Sequence, residues 1–165
     1  MPKDIDNLAE ARRRWADRYS EDAARGMFTV SALDRAAHLL RAGAEGALAP
    51  FSITFAQFEL LTLLMWARSG ALPMSVISSR LHVPPASLTH TVRRLEGEGL
   101  VARHTSQRDR RSTLVSVTDQ GIALASAAGP ALSTYFEGIG LTKKQHDDVA
   151  AATAALRRAA GDYVE

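Results

Sequence analysis

The sequence predicts a mainly α-helical fold with a small β-hairpin (α+β): a winged helix-turn-helix with N- and C-terminal dimerisation helices. Three observations predict it. A short helix over 75–81, a tight turn at His82, Val83 and Pro84, and a longer helix from Pro85 follow one another in the helix-turn-helix pattern. Two β-prone runs, 100–104 (LVARH) and 114–117 (LVSV), bracket a polar, arginine-rich loop, TSQRDRRST, and so read as a hairpin. Long Ala-rich helical stretches precede and follow this unit and have no core of their own to cover.

The stretch that the rest serves is 84–99, PPASLTHTVRRLEGEG. Pro85 suits the first helical turn, where a missing N–H costs nothing. Leu88, Val92 and Leu95 fall at i, i+4 and i+7, so one stripe faces inward. The opposite face carries Ser87, Thr89, His90 and Arg93, with Arg94 beside it. Gly97 and Gly99 follow the last apolar position, and Gly99 suits a left-handed stop. Small polar residues let a helix approach closely, and their hydroxyls bond to phosphates or base edges. These residues predict a helix that enters a DNA major groove. At the tip of the hairpin loop, Arg110 and Arg111 suit a narrow minor groove, where negative potential is enhanced, and Arg108 beside them is a further DNA-binding candidate. Asp109 has no use against phosphate; its carboxylate matches a guanidinium fork and would hold a neighbouring Arg in one pose.

In order along the chain, 1–19 reads as an N-terminal helical extension anchored by Trp15, with its helix over 4–19. Residues 20–50 read as a dimerisation helix, capped by Ser20 and ended by Pro50. The DNA-binding region is predicted over 51–121. It opens with a capping box, Thr54-Phe-Ala-Gln57, and a helix over 55–68 that is apolar nearly all round and therefore buried. Glu59 and Trp66 interrupt it, facing a cavity or, the preferred reading, sitting at its solvent edge, and Ser69-Gly70 and Pro73 are read as breaks. Residues 122–165 supply the C-terminal dimerisation helices: one capped by Thr118, with a kink or break at Gly129-Pro130, and one over 143–163 behind a second capping box, Thr142 to Gln145. The whole is one compact chain without separate domains. The apolar surface of the terminal helices would be buried by two copies about a two-fold axis.

Composition narrows the function. The chain has 165 residues, 46% of them apolar, enough for a core. Net charge is only +2, but 75–117 carries seven Arg against Glu96, Glu98 and Asp109, a local +4 that leaves −2 for the rest. Positive charge concentrated around the groove helix is the footprint of a nucleic-acid surface. No apolar run approaches the roughly 18–20 residues of a membrane span. The N-terminus MPKDIDNLAE has no apolar signal-peptide region, and there is no cysteine, so a cytoplasmic location is expected. Enzyme chemistry is not expected, because no Gly-rich phosphate loop and no nucleophile elbow occurs. His38, His82, His90, His104 and His146 are scattered without metal-ligand spacing, so neither metal nor cofactor is expected.

RLEGEGLV (94–101), then Arg103, then Asp109-Arg110-Arg111 and LVSVTDQG (114–121), resembles the signature of MarR-type winged-helix transcriptional regulators. The match is good over 54–121; the terminal helices match in order and length only. The resemblance implies a dimer whose terminal helices form the interface, with one helix per subunit in a major groove and one wing in a minor groove. It further implies that Asp109 orients Arg111 and that Arg111 enters the minor groove. His90 departs from the Arg or Lys common at its position, which bears on sequence preference. A subgroup with an extra Trp-bearing N-terminal helix responds to urate-like anions. Trp15, Glu59 and Arg103 are similar to its ligand positions, whereas an Arg expected on the groove helix falls at Thr91.

The expected function is that of a sequence-specific, dimeric transcriptional regulator, a repressor, bound to a palindromic operator in double-stranded DNA. Release would come from a small anionic or aromatic effector in a crevice between the long helix near His38 and the apolar helix beginning at Phe55. The alternative is a winged-helix protein–protein module without DNA binding. The +4 patch and the Asp-Arg wing argue against it.

Overall fold

The structure, a computed structural model, describes residues 6–105 and 112–162. Its elements run α1 (Asn7–Arg18), α2 (Glu21–Leu48), a 3-10 turn (Ala49–Phe51), α3 (Phe55–Met65), β1 (Ala71–Pro73), α4 (Met74–Leu81), α5 (Pro85–Gly97), β2 (Val101–Thr105), β3 (Thr113–Val117), α6 (Asp119–Glu137) and α7 (Lys143–Ala159).

Polar side chains set most helix starts. Asp6 accepts from the N–H groups of Leu8 and Ala9, and Ser20 from that of Ala23. Both capping boxes form: Thr54 with Gln57, and Thr142 with Gln145. Arg12 pairs with Glu21 at 2.5 Å and ties α1 to the start of α2.

α3 is apolar all round because it lies between two clusters of buried side chains. Leu60, Leu61 and Leu64 belong to the first, with Leu72, Ile77, Leu88, Val92, Leu95 and Val115 from the sheet, α4 and α5. Phe55 and Phe58 pack on the second, made by Ala44 and Leu48 of α2, Ile53, and Ala128 and Leu132 of α6. Trp66 caps α3 and is 76% exposed, at the solvent edge as predicted. Glu59 is part-buried instead.

Three predicted features are corrected. The stretch at Ser69, Gly70 and Pro73 is not only a break. Ala71–Pro73 forms a third strand, antiparallel to β3, in a sheet of order β1-β3-β2. Leu72 lies opposite Val115 and both are buried, so tertiary pairing made a strand of a tripeptide too short to show periodicity. Secondly, of the kink or break expected at Gly129-Pro130, the break does not occur: α6 runs on through Pro130. The proline removes one N–H, but Ala128 and Leu132 on either side are buried against α2 and α3, and that packing holds the helix together. Thirdly, α3 and α7 are shorter than predicted, ending at Met65 and Ala159. Tyr163, expected on the last helix, lies outside the described residues.

Two glycines fix the join between α5, the sheet and α6. Gly99 takes a φ of +73°, the predicted left-handed stop. Gly121 packs so closely that a Cβ there would lie 2.2 Å from the carbonyl oxygen of Leu100. Thr118 completes the joint: its hydroxyl donates to Gly99 O at 2.7 Å and accepts the N–H of Gly121 at 3.1 Å.

α1 and α7 have no buried residue, and α2 buries only Ala24, Ala44 and Leu48. Val30, Leu39, Val149 and Leu156 are exposed on these helices, Val30 by 70%. No single helix among the described residues is long and apolar enough to cross a membrane.

Candidate nucleic-acid interface

α4 presents α5 through a turn whose geometry is held from both sides. Ser78 Oγ donates to Val83 O at 2.6 Å, and the N–H of Val83 donates to Ser78 O at 3.1 Å. His82 closes α4 in the left-handed conformation, φ +51°. Pro85 opens α5, and Leu88, Val92 and Leu95 bury one face in the first cluster, as their spacing predicts.

The other side of α5 carries the predicted residues. Ser87, His90, Arg93 and Arg94 are exposed, and Thr89 lies at the flank, part-exposed. The Thr89 hydroxyl donates to Pro85 O at 2.8 Å, and that of Thr91 to Ser87 O at 3.1 Å. Both are thereby used as donors on their own helix and keep only acceptor capacity. Arg94 Nε donates to Glu98 at 3.0 Å, whereas Arg93 makes no ion pair among the described residues. Arg108, Asp109, Arg110 and Arg111 lie outside the described residues.

Arg103 is on β2, the first strand of the wing. Its Nε and Nη2 both donate to Glu96 Oε2, at 2.8 and 2.5 Å. The hydrogen bonds from Arg103 hold the Glu96 carboxyl below its ordinary range, and Glu96 in turn holds the guanidinium above its own. Sequence reasoning gave Glu96 no role; the only signal was two opposite charges flanking the Gly99 turn. Arg103 also lines a cleft of about 740 Å³ between α4, α5 and the wing, with Ser75, Ser78, Ser79 and Thr89.

The predicted effector residues divide. His38 and Phe55 line one cleft of about 430 Å³ between α2, α3 and α6, together with Arg41, Tyr135 and Phe136. The Arg41 guanidinium stands 5.5 Å from the centre of the Phe55 ring, a cation–π contact. Phe55 meets Phe136 edge-to-face at 6.4 Å. Glu59, one turn along α3 from Phe55, has its carboxyl pushed up by burial, an effect that Arg41 partly offsets. Trp15, Glu59 and Arg103 do not line this cleft: the Trp15 ring lies tilted against Tyr19 at 4.9 Å, and Arg103, on the wing, faces Glu96 of α5. Sequence reasoning missed Arg41, Tyr135 and Phe136. Arg41 follows His38 by three residues on the same helix, which was a usable signal. No group of three or more His, Asp or Glu able to hold a metal ion occurs among the described residues.

Comparison with known proteins places this geometry. Residues 53–113 match the family model described as MarR family. The chain is 31% identical over 105 residues to the organic hydroperoxide resistance transcriptional regulator of Bacillus subtilis, an alignment spanning 64% of this chain and 68% of that protein. It superposes with a TM-score of 0.77 on Sco5413, a MarR family transcriptional regulator from Streptomyces coelicolor, at 36% identity, covering 86% of this chain and 99% of that one. It is also similar to the transcriptional repressor CouR bound to a 23-mer DNA duplex, with a TM-score of 0.66 and 28% identity over 76% of this chain and 88% of that one. The relatives are transcriptional regulators rather than enzymes, and the helix-turn-helix, the three-stranded wing sheet and the cationic face of α5 agree with them: the chain belongs to the MarR family of winged-helix, DNA-binding transcriptional regulators.

Proposed function

We propose that this chain is a homodimeric repressor that grips a palindromic operator and is released from it by a small anionic or aromatic effector. The observation that carries the reading is the side of α5 turned away from the core, with His90, Arg93 and Arg94 exposed; the sequence joining β2 to β3 adds further arginines. Ser87, Thr89 and His90 read bases; Arg93 and Arg94 contact phosphate. Arg110 and Arg111 serve the minor groove, Asp109 orienting Arg111, and Arg108 adds a DNA contact beside them.

The exposed apolar side chains of α2 and α7 support the dimer, since a monomer would leave them in water. In this reading 20–50 and 122–165 form the interface, 1–19 covers it, and 51–121 binds DNA. Two α5 helices must then stand about one DNA turn, roughly 34–36 Å, apart. An effector in the α2/α3/α6 cleft favours a different spacing, by no more than its difference in affinity for the two states. Arg41 and His38 suit its negative charge, and Phe55 and Phe136 its ring. Trp15 and Arg103 have no part in that cleft.

Selection of bound sequences from random duplex DNA tests the reading. A palindrome with half-sites about 10 base pairs apart is expected. Recovery of a single unpaired motif, or of no motif, overturns it.

A further inference from the structure

Tyr135, on α6, reaches across to α2. Its hydroxyl donates to the carbonyl of Leu40 at 2.7 Å. That carbonyl lies inside α2 and already serves the helix's own ladder, so the tyrosine takes its second lone pair. The bond is therefore not needed to satisfy the backbone; it joins α6 to α2. The phenol end of the side chain lies in a notch at Gly43, where a Cβ would stand 2.4–2.5 Å from two ring carbons and the hydroxyl oxygen. A glycine in the middle of a helix is unfavourable on its own account, and here it is the condition for the tyrosine to reach Leu40.

Tyr135 and Leu40 both line the cleft that holds His38, Arg41, Phe55 and Phe136. An acceptor oxygen entering that cleft competes for the same hydroxyl. α6 is also continuous with the wing: it starts next to Thr118, which holds the end of α5 through Gly99 O. Its 19 residues make a rod of about 28 Å, with the latch near one end and the wing at the other.

We propose that the Tyr135 hydroxyl is the exchange contact of the cleft: it is held by Leu40 when the cleft is empty and drawn to the carboxylate of an aromatic acid when it is filled, which loosens the far end of α6 on α2 while Ala128 and Leu132 stay packed. This rests on the effector-released reading above and supplies the contact through which release occurs. Tyr135 acts as a positioning residue for DNA binding, through α6 and Thr118, without touching DNA.

The test uses the full chain, its selected operator and benzoate as the probe. Tyr135→Phe keeps the ring on Gly43 and removes only the hydroxyl; Gly43→Ala keeps the hydroxyl and expels the ring. Each is expected to lower operator affinity by about three- to tenfold without benzoate, the worth of one net hydrogen bond. Benzoate should then release wild type but add little for Tyr135→Phe, although calorimetry still detects benzoate binding to that variant. The melting temperature of Tyr135→Phe should stay within a few degrees of wild type, which separates this from loss of folding. If benzoate binds Tyr135→Phe and releases it as it does wild type, the latch is wrong. If benzoate binds neither protein, the effector reading of the cleft fails with it.

Discussion

Glu96 at the end of α5 accepts two hydrogen bonds from Arg103 on β2, so the wing is tied to α5 by one carboxylate oxygen. Both side chains are about one-third exposed, which makes the tie modest in energy. Its value lies in the angle that it fixes. Glu96→Gln is expected to weaken operator binding by about two- to fivefold, read by fluorescence anisotropy. The charge-swapped pair, Glu96→Arg with Arg103→Glu, should recover part of that loss. The sign of the pH effect follows from the lowered carboxyl: the contribution is complete above the ordinary value of 4.5 and drains away as pH falls towards the depressed one.

Glu59 has the opposite sign. Burial raises its carboxyl above 4.5, so ionising it costs stability once pH exceeds that value, and the cost is complete above the raised one. Glu59→Gln should therefore raise the melting temperature at pH 7, with the gain vanishing near about pH 4. Paired thermal scans at the two pH values check this. An equal gain at both would mean that packing, not charge, is responsible.

Gly121→Ala should be costly. The added methyl meets a backbone carbonyl that is itself fixed by the α5–β2 join, so neither side can yield cheaply. Overpacking of this kind costs about 1–3 kcal/mol, which urea denaturation would register.

Arg93 is exposed on α5 and carries no ion pair among the described residues, so its charge is available to phosphate. Arg93→Ala should weaken binding to all duplexes alike and reduce the slope of log affinity against log salt by about 0.9. Thr89→Ala or His90→Ala should instead change the selected consensus. An unaltered salt slope in Arg93→Ala would remove it from the phosphate contacts.

The helix α5 was legible in the sequence because every local signal agreed. Pro85, the Leu88–Val92–Leu95 stripe and Gly99 each mark a different part of one element. Thr118 and Gly121 were legible as a motif, but their reason was not: a hydroxyl reaching Gly99 and a missing Cβ beneath Leu100 are contacts between segments about twenty residues apart. β1 was hidden because three residues have no period, and its partner, β3, lies some forty residues on. The cleft was half-legible. His38 and Phe55 were named from two adjacent helices, but Tyr135 and Phe136 come from α6, and only the folded chain brings them to Gly43 and Phe55.

The helix over Phe55–Met65 is shared property. Its phenylalanines sit with α2 and α6, its leucines with the sheet, α4 and α5. The winged helix-turn-helix half and the half that carries the terminal helices therefore have no seam along which to melt independently. Heat or urea should dissolve both together, and a lesion on either side of that helix will be felt by the other.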